Sequence, residues 1–300
     1  MSMNLNHLAI FHAVAQTGSM TLGAVRLDIS QPAVSKQVQD LERALGVHLF
    51  DRIGRRVRLS HAGEILADYA RRLFALATEA ETAMADVRGV GRGRLAIGAS
   101  TTIGAYLLPR VLAEFRRRHP GIELLVQVEN TEHVHHSLVS HELDVGLTEG
   151  VVEEDELEAD VFYQDELVMI AALGHRLARQ RRVALDAVRE ESFILREPGS
   201  GTRMVEERAL ARLKLPVRVV MALGSTEAIK RVVAEGVGLA IVSRLAVAEE
   251  CAARRLAVLS VAGLPIARPL HLVRRKGRRD GPALQAFCAV LREWTAGRFG

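Results

Sequence analysis

The first 60 residues of the 300-residue chain alternate apolar and polar positions at the spacing of short helices. Leu5, Leu8, Phe11 (or His12) and Ala15 recur at helical intervals and predict the first helix. After a break at residues 17–19, Thr21 is placed to cap a second helix that runs to about Asp28. The chain is therefore expected to start with two short helices.

Residues 29–42, ISQPAVSKQVQDLE, predict a third helix with two different faces. Ser30 can cap it, and Pro32 is tolerated in the first turn because the amide that proline lacks has no partner inside the helix there. Gly46 provides a stop at the other end. One face is aliphatic and is expected to point inward: Val34, Val38, Leu41 and Leu45. The opposite face is polar and is expected to point outward: Gln31, Pro32, Ser35, Lys36, Gln39 and Arg43.

The next segment, VHLFDRIGRRVRLS, alternates about Gly54 like a small β-hairpin. The order helix, helix, tight turn, helix, hairpin predicts a winged helix-turn-helix domain over residues 1–60, whose third helix can enter the major groove of DNA. Residues 1–95 hold 12 Lys/Arg against 9 Asp/Glu, whereas the rest of the chain holds 28 against 27. The hairpin segment 52–58, RIGRRVR, adds a local cluster of arginines that suits a polyanion.

One long helix is predicted after the hairpin, over residues 61–88. Its apolar positions follow a heptad spacing: Ala62, Leu66, Tyr69, Leu73, Leu76, Ala80, Ala83 and Val87. Such a seam favours pairing with the same helix of a second subunit, chiefly through Leu66, Tyr69, Leu73 and Leu76. The alternative is an amphipathic helix packed on its own domain. The glycine-rich segment 88–94, RGVGRGR, predicts a flexible hinge, so residues 61–93 are assigned to the linker.

From residue 94 to residue 300, predicted strands and helices alternate. RLAIGAS, IELLVQVE, DVGLTEG and later apolar runs read as strands, with helices expected at about 103–119, 132–141, 203–213, 226–235 and 282–296. This alternation predicts an α/β domain with parallel sheets. Its length suits two lobes, residues 94–162 with 267–300 and residues 163–266, with a ligand cleft at the carboxyl ends of strands.

The composition limits the possible compartments and cofactors. Half of the chain is hydrophobic (49%), which indicates a globular protein, and its two cysteines, Cys251 and Cys288, are too few for a disulfide framework. No leader-like start and no continuous apolar stretch of membrane-spanning length is found. We therefore expect a cytoplasmic protein with no membrane partner, no metal and no cofactor.

Residues 11–63, FHAVAQTGSMTLGAVRLDISQPAVSKQVQDLERALGVHLFDRIGRRVRLSHAG, resemble the LysR-type transcriptional regulators. YLLPRVLAEFRRRHPGIEL and STEAIKRVVAEGVGLAIVS extend the resemblance to the whole chain, and TTIGAYLLP and LREPGSGTR are most similar to the branch that regulates carbon-fixation or sulfur/sulfite genes. The resemblance implies an α/β multidomain protein: an N-terminal winged helix-turn-helix, a long linker helix and a two-lobed, periplasmic-binding-protein-like effector domain. It also implies a homodimer or tetramer, binding to inverted repeats in double-stranded promoter DNA, and a small-molecule co-inducer between the lobes. RNA polymerase is a further expected partner.

The polar face of the third helix is the expected DNA-reading surface: Gln31, Pro32, Ser35, Lys36 and Gln39. A glutamine amide can pair with adenine, and a lysine can donate to guanine or phosphate. Among the hairpin arginines, Arg55 and Arg56 are expected to contact phosphate or a minor groove, with Arg58 beside them, whereas Arg52 is the best candidate for a structural pair. The alternative is a solvated polar face.

Three helix starts carry hydroxyls, at residues 100–102, 199–203 and 224–226, and each offers free backbone amides and the positive end of a helix dipole. The expected effector-binding residues are Ser100, Thr101, Thr102, Thr148, Glu149, Arg196, Ser200, Thr202, Arg203, Ser225 and Thr226. They suit a carboxylate, a phosphate or an oxyanion of sulfur. Single hydroxyls could instead be ordinary helix caps. Glu149 and Glu227 could each pair an arginine or accept from the hydroxyls of a sugar-like ligand.

Other classes of function have weaker support in the sequence. His133, His135, His136 and His141 lie close together, but a solvated helix is favoured over a metal site. No GxSxG, HExxH or P-loop motif is found, so we expect no enzyme and no catalytic residue. A solute-binding protein, or an enzyme built on the two-lobed domain without a regulatory role, is the alternative.

Overall fold

A computed structural model describes residues 3–53, 56–87, 93–278 and 280–296. The chain forms two compact units. The first comprises Met1–Met84 with Ser140–Glu142, and the second comprises Ala85–Val139 with Leu143–Gly300.

The first unit has the predicted order of elements. These are α1 (Leu5–Thr17), α2 (Met20–Leu27), α3 (Gln31–Leu45), β1 (Phe50–Ile53), β2 (Arg56–Leu59) and α4 (His61–Val87). The two strands pair antiparallel, with Phe50 opposite Leu59 and Ile53 opposite Arg56. The predicted winged helix-turn-helix, with its three helices followed by a hairpin, is therefore confirmed.

Local capping residues fix the ends of these helices. Ser30 caps α3 by accepting a hydrogen bond from the amide of Ala33 (3.4 Å), and Gly46 ends it in the left-handed conformation at φ 71°. The prediction that Thr21 caps α2 is wrong, because the cap is Ser19, which accepts from the amide of Leu22 at 3.3 Å. The helix begins two residues earlier than expected since Ser19 already has the extended backbone of a cap.

The aliphatic face of α3 packs inward as predicted, with one exception. Val34, Val38 and Leu41 are at most 2% exposed and belong to the core of the unit. Leu45 is 40% exposed, so its assignment to the inward face is wrong. It lies in the last turn of α3, beyond the part of the helix that packs into the core.

The second unit alternates helices and strands along the chain. Its first part contains β3 (Gly93–Ser100), α5 (Thr101–Tyr106), α6 (Leu108–Arg118), β4 (Ile122–Glu129), α7 (Thr131–Val139), β5 (Val145–Glu149) and β6 (Leu157–Ala172). A short 3-10 helix (Arg176–Arg179) follows, and then α8 (Leu185–Arg189), β7 (Ser192–Arg196), α9 (Gly201–Arg212), β8 (Arg218–Leu223) and α10 (Thr226–Ala234). The last elements are β9 (Ala240–Ser243), α11 (Arg244–Ala252), β10 (Leu256–Val258), β11 (Ile266–Arg275) and α12 (Pro282–Ala296).

The main sheet is mixed, which corrects the prediction of parallel sheets. Its order is β10-β6-β11-β5-β3-β4, with β9 also paired to β6. β3 is parallel to β4 and β5, but β6 and β11 are antiparallel to each other along most of their length. The chain passes from the first lobe to the second along β6 and comes back along β11. The two strands therefore run in opposite directions and pair antiparallel. β7 and β8 form a separate parallel pair.

Two groups of apolar residues pack against different parts of β6. Phe162 and Tyr163 of β6 pack with the first core, which contains residues of β3, α6, β5 and α12. Leu167 and Met169 pack with the second core, which contains residues of β7, α9 and β9. The side chains between Tyr163 and Leu167 therefore lie where the chain passes from one lobe to the other.

The helix predicted at 103–119 is two helices, α5 and α6, with Leu107 between them. Pro109 occupies the first turn of α6, and a proline cannot donate the hydrogen bond that would continue α5. The break ends α5 at Tyr106.

Candidate functional site

The outward face of α3 is polar and exposed, as the sequence predicted. Gln31, Pro32, Lys36 and Gln39 are exposed and Ser35 is half-buried. The amide nitrogen of Gln31 donates to the hydroxyl of Ser35 at 2.8 Å, which holds both side chains at the start of the helix. Short polar groups in this position are what contact with base edges in a major groove requires.

A groove of about 770 Å³ lies between α3 and the hairpin. Its lining includes Ser35, Gln39 and Arg43 of α3 and Phe50 and Val57 of the strands. The end of α3 is tied to the start of β1 because the amides of Leu49 and Phe50 donate to the carboxylate of Glu42 at 2.7 and 3.4 Å. Helix and hairpin therefore form one surface.

The hairpin arginines are only partly described. Arg55 lies outside the described residues, and Arg56 lies in β2 with a side chain that is not described. Arg58 is exposed on the same strand, and Arg43 of α3 pairs with Asp40 at 2.8 Å. The expected phosphate contacts of Arg55 and Arg56 remain predictions.

The predicted heptad face of α4 divides into two sets. Leu66 and Leu73 pack against the core of the first unit, which is the alternative role of an amphipathic helix. Tyr69 (63% exposed) and Leu76 (54% exposed) point away from that core, as does Ile65. Ile65, Tyr69 and Leu76 are therefore exposed apolar side chains of α4, whereas Leu66 and Leu73 contact the core of the first unit.

In the second unit, Glu149 joins the ends of two strands to a helix of the other lobe. The hydroxyl of Ser100, at the end of β3, donates to one carboxylate oxygen of Glu149, at the end of β5. The hydroxyl of Thr202, in the first turn of α9, donates to the other oxygen at 3.0 Å. All three side chains are at most 2% exposed.

Arg268 is the cation of this cluster. It is fully buried, and its Nη1 lies 2.7 Å from the hydroxyl of Thr202 and 3.4 Å from Glu149. Its Nε and Nη2 both donate to Asp165, which faces it from β6 and also accepts from Ser243 at 2.8 Å. A buried ion pair of this kind requires that every polar atom finds a partner.

The two arginines predicted to attract an anion already pair with carboxylates. Arg196 is 1% exposed and donates twice to Glu197, each at 2.7 Å, and once to Thr226 at 3.3 Å. Arg203 donates to Glu207 at 2.8 Å and to the carbonyl oxygen of Arg196 at 3.1 Å.

The remaining predicted hydroxyls have different roles. Ser200 and Ser225 are helix caps, accepting from the amides of Arg203 and Ala228, each at 3.4 Å. Thr102 is buried and Thr101 is half-buried at the start of α5. Thr148 is buried and contacts Nε2 of His135 at 3.0 Å.

His135 corrects the prediction of a solvated histidine cluster. It is 2% exposed, because it lies on the face of α7 that packs against β5, and its Nδ1 lies 3.0 Å from Glu154. Burial lowers the pKa of His135, although Glu154 acts in the opposite direction. His271, opposite Thr148 on β11, also has a pKa lowered by burial and by His135. His133 and His136 are exposed, and no metal-binding group of His, Cys, Asp or Glu occurs among the described residues.

A second contact between lobes involves Tyr106 at the end of α5. Its hydroxyl donates to Glu227 of α10, and burial followed by this hydrogen bond raises the pKa of Tyr106 to about 12. Lys230 lies 2.6 Å from both Glu227 and Glu250, which satisfies its buried charge. Glu227 thus pairs a lysine and a tyrosine, and not an arginine.

Two family profiles together cover most of the chain. Residues 5–64 match the "Bacterial regulatory helix-turn-helix protein, lysR family", and residues 88–296 match the "LysR substrate binding domain". The chain belongs to the LysR family. It is a DNA-binding transcriptional regulator with a domain that responds to a small effector, as the sequence resemblance implied.

Relatives of this LysR regulator are named as regulators and not as enzymes. The RuBisCO operon transcriptional regulator of Allochromatium vinosum is 39% identical over 96% of this chain and 95% of its own length. The activator CmpR of Synechocystis is 33% identical over 96% of this chain and 94% of its own length. These names match the carbon-fixation branch of the family.

Solved structures cover either one unit or the full length. The regulatory domain of Synechocystis CcmR, in complex with 2-PG, is 34% identical with a TM-score of 0.64 over 67% of this chain and 97% of that one. Full-length CbnR complexed with its target DNA is 23% identical with a TM-score of 0.72 over 97% of this chain and 99% of that one, a likeness that shows the fold alone.

Sequence reasoning about this LysR protein missed three buried ionisable residues of the second unit. Arg268 interrupts an apolar strand segment with a charge, a signal that could have marked it, whereas Asp165 lies in the polar run 164–166 and does not stand out from its neighbours. Glu206 of α9 is fully buried, and both of its carboxylate oxygens lack a hydrogen-bond partner among the described residues. Burial raises the pKa of Glu206 well above its usual value, and no motif pointed to it.

Proposed function

We propose that this LysR regulator reads promoter DNA through the polar face of α3 and responds to a small anion bound in the cleft of its second unit. The DNA part is supported by the exposed side chains of Gln31, Lys36 and Gln39, which lie on a helix held by a buried aliphatic face. Amide and ammonium groups in that position suit adenine and guanine edges.

The observation that carries the effector part is the buried polar cluster around Glu149. Ser100 and Thr202 direct hydroxyl donors to Glu149 at the ends of β3 and β5, and the guanidinium of Arg268, which donates to Thr202, lies 3.4 Å from the same carboxylate. In open α/β sheets ligands bind at the carboxyl ends of strands. Donors of this kind suit a carboxylate or phosphate oxygen, and the 34% identical CcmR regulatory domain carries 2-PG.

We also propose that the protein acts as a homo-oligomer on inverted repeats, with α4 as one pairing surface. Exposed Tyr69 and Leu76 on a 27-residue helix support this assignment. The division into residues 1–60, 61–93 and 94–300, a cytoplasmic location and contact with RNA polymerase belong to the same proposal. No helix among the described residues is long and apolar enough to cross a membrane. The names of the relatives favour genes of carbon fixation as targets.

A thermal-shift screen of anionic metabolites tests the effector proposal. Phosphoglycolate, sugar bisphosphates, sulfite and sulfate should include at least one compound that raises the melting temperature in a saturable way, because a ligand of the folded state stabilises it by mass action. If only neutral or cationic compounds act, the anion proposal is wrong.

The variant Thr202→Val should lose this response, since valine keeps the shape of threonine and removes its hydroxyl. Ser260→Ala is a matched control that removes an exposed hydroxyl of the same unit. An unchanged response of Thr202→Val would place the anion elsewhere.

A further inference from the structure

The carboxylate of Glu149 accepts hydrogen bonds from two hydroxyls and lies 3.4 Å from the guanidinium of Arg268, so it meets three different elements. Ser100 lies at the end of β3, Thr202 in α9 and Arg268 in β11. The start of α9 also presses against the end of β5, because a Cβ added at Gly201 would lie 2.1 Å from the carbonyl oxygen of Glu149. A carboxylate held by two hydroxyl donors beside a guanidinium is bound as an anionic ligand would be bound.

The charges of the cluster leave no room for a second anion. Arg268 carries one positive charge, whereas Asp165 and Glu149 carry two negative charges, and all three side chains are at most 4% exposed. The cluster therefore holds a net charge of −1 by this count. Another monoanion beside Glu149 would bring it to −2 in a site with little water to screen it, which is strongly unfavourable.

The nearby arginines do not change this balance. Arg196 is matched by Glu197, and Arg203 is matched by Glu207. An anionic group that enters at the ends of β3 and β5 must therefore replace a carboxylate that is already there. Glu149 is the carboxylate whose partners are hydroxyls of both lobes, whereas Asp165 is held by two donors of Arg268 and by Ser243.

We propose that Glu149 is an internal ligand of the cleft and that the anionic group of the effector binds by displacing its carboxylate. The second part of this inference, displacement by the effector, rests on the function proposed above. Exchange of one monoanion for another leaves the net charge unchanged, satisfies the hydroxyl donors of Ser100 and Thr202, and keeps an anion beside Arg268. It also removes the hydrogen bond from Thr202 to Glu149, which joins α9 to β5 across the lobes. Glu149 thereby lowers the affinity of the cleft for anions, and its hydrogen bond with Thr202 is the contact between lobes that the effector breaks.

Glu149→Ala tests the inference without knowledge of the effector. The variant removes the carboxylate and keeps its donors, so formate, a carboxylate of nearly the same size as the lost group, should bind in its place. We expect the variant to have a lower melting temperature than the wild type. Formate should raise that melting temperature in a saturable way, whereas neutral formamide, and sodium chloride at matched ionic strength, should not. The wild type and Glu123→Ala, which removes an exposed carboxylate from β4, should show no such rise. Equal shifts with formate and formamide, or in Glu149→Ala and the wild type, would overturn the inference.

Glu149→Gln provides a second measurement that does not require a cavity to be tolerated. It keeps the shape of the side chain but removes its charge, so an anion that competes with Glu149 should bind at least about 10-fold tighter than to the wild type, a ratio that corresponds to about 1.4 kcal/mol. Calorimetric titration with phosphoglycolate measures the ratio, and equal or weaker binding counts against the inference. If no anion binds the wild type but formate binds Glu149→Ala, the effector proposal fails and the internal ligand stands. If phosphoglycolate binds both forms equally and formate binds neither, the effector proposal stands and the internal ligand fails.

Discussion

Arg268 of β11 and Asp165 of β6 face each other across two antiparallel strands, and both side chains are buried where the chain passes between the two lobes of the second unit. Their ion pair also connects to Thr202 and Ser243, so four elements meet at these two residues. The pair holds the donors of the cleft in place.

Loss of the arginine should therefore be costly. Arg268→Met leaves Asp165 and Glu149 buried without their cation, and we expect the free energy of unfolding to fall by about 3–5 kcal/mol. Urea titration followed by circular dichroism measures the change. Arg117→Met, which removes an exposed arginine paired along α6, is the control and should change little. A loss no larger than in that control would show that the buried pair contributes nothing special to stability.

The hairpin arginines should contribute to DNA affinity without sequence preference. Arg55→Ala combined with Arg56→Ala removes two expected phosphate contacts, so log Kd should depend on log salt with a slope smaller by about 2. Anisotropy titrations of labelled DNA at several salt concentrations provide the slope. Arg181→Ala with Arg182→Ala removes the same charge from exposed positions of the second unit and should leave the slope as it is. An unchanged slope in the hairpin variant contradicts the assignment.

Glu206 should make stability fall as pH rises. Its pKa in the folded protein lies well above the usual value of 4.5 because burial disfavours the carboxylate, with Glu207 adding to the rise. Above that usual value the unfolded chain releases the proton that the folded chain keeps, so the contribution of Glu206 is complete at low pH and is lost as pH rises towards the folded pKa. Glu206→Gln should remove this loss.

Melting temperatures at pH 5, 6, 7 and 8 check this prediction, and the difference between Glu206→Gln and the wild type should grow with pH. His135 and His271 act in the opposite direction, because their lowered pKa values make the folded state lose stability as pH falls. They are common to both proteins and cancel in the difference. A difference that stays constant from pH 5 to 8 would mean that Glu206 does not retain its proton.

Charge placed on the exposed face of α4 should disrupt the oligomer. Tyr69→Glu combined with Leu76→Glu puts carboxylates where an apolar helix is expected to pack, so sedimentation velocity should show a monomer. Thr78→Glu, on the opposite side of the same helix, should keep the wild-type state. If the double variant sediments like the wild type, α4 is not the pairing surface.

Elements with local signals could be predicted from the sequence. Ser30 and Gly46 fix the ends of α3 through their own backbone and side-chain preferences, and its buried face follows from periodicity. The break at Leu107 was not predicted, although Pro109 marks it. The apolar periodicity continues past Pro109, and periodicity alone does not separate one long helix from two short ones. The cap of α2 was predicted at Thr21 but is Ser19, because both residues carry a hydroxyl that could cap a helix and the sequence alone does not choose between them.

The cleft could be predicted only in part. Ser100, Glu149 and Thr202 were proposed from strand ends and helix starts, and the structure brings them together. Arg268 could not be placed because its partner Asp165 is 103 residues away, and the register of β6 against β11 decides the contact. The burial of His135 and Glu206 also depends on tertiary packing, because it is decided by which face of α7 or α9 meets the sheet. The sequences of the two helices do not show which face that is.

Binding of the full-length protein to a promoter fragment and to a scrambled fragment of equal length tests the central claim most directly. At about 150 mM salt the wild type should bind the promoter at least about 10³-fold tighter than the scrambled DNA. Gln31→Ala should reduce that ratio by about 10-fold, since one bidentate base contact contributes about 1–3 kcal/mol of discrimination, and should leave binding to scrambled DNA nearly unchanged. Equal affinity of the wild type for the two fragments, or equal loss on both fragments in Gln31→Ala, would contradict the account.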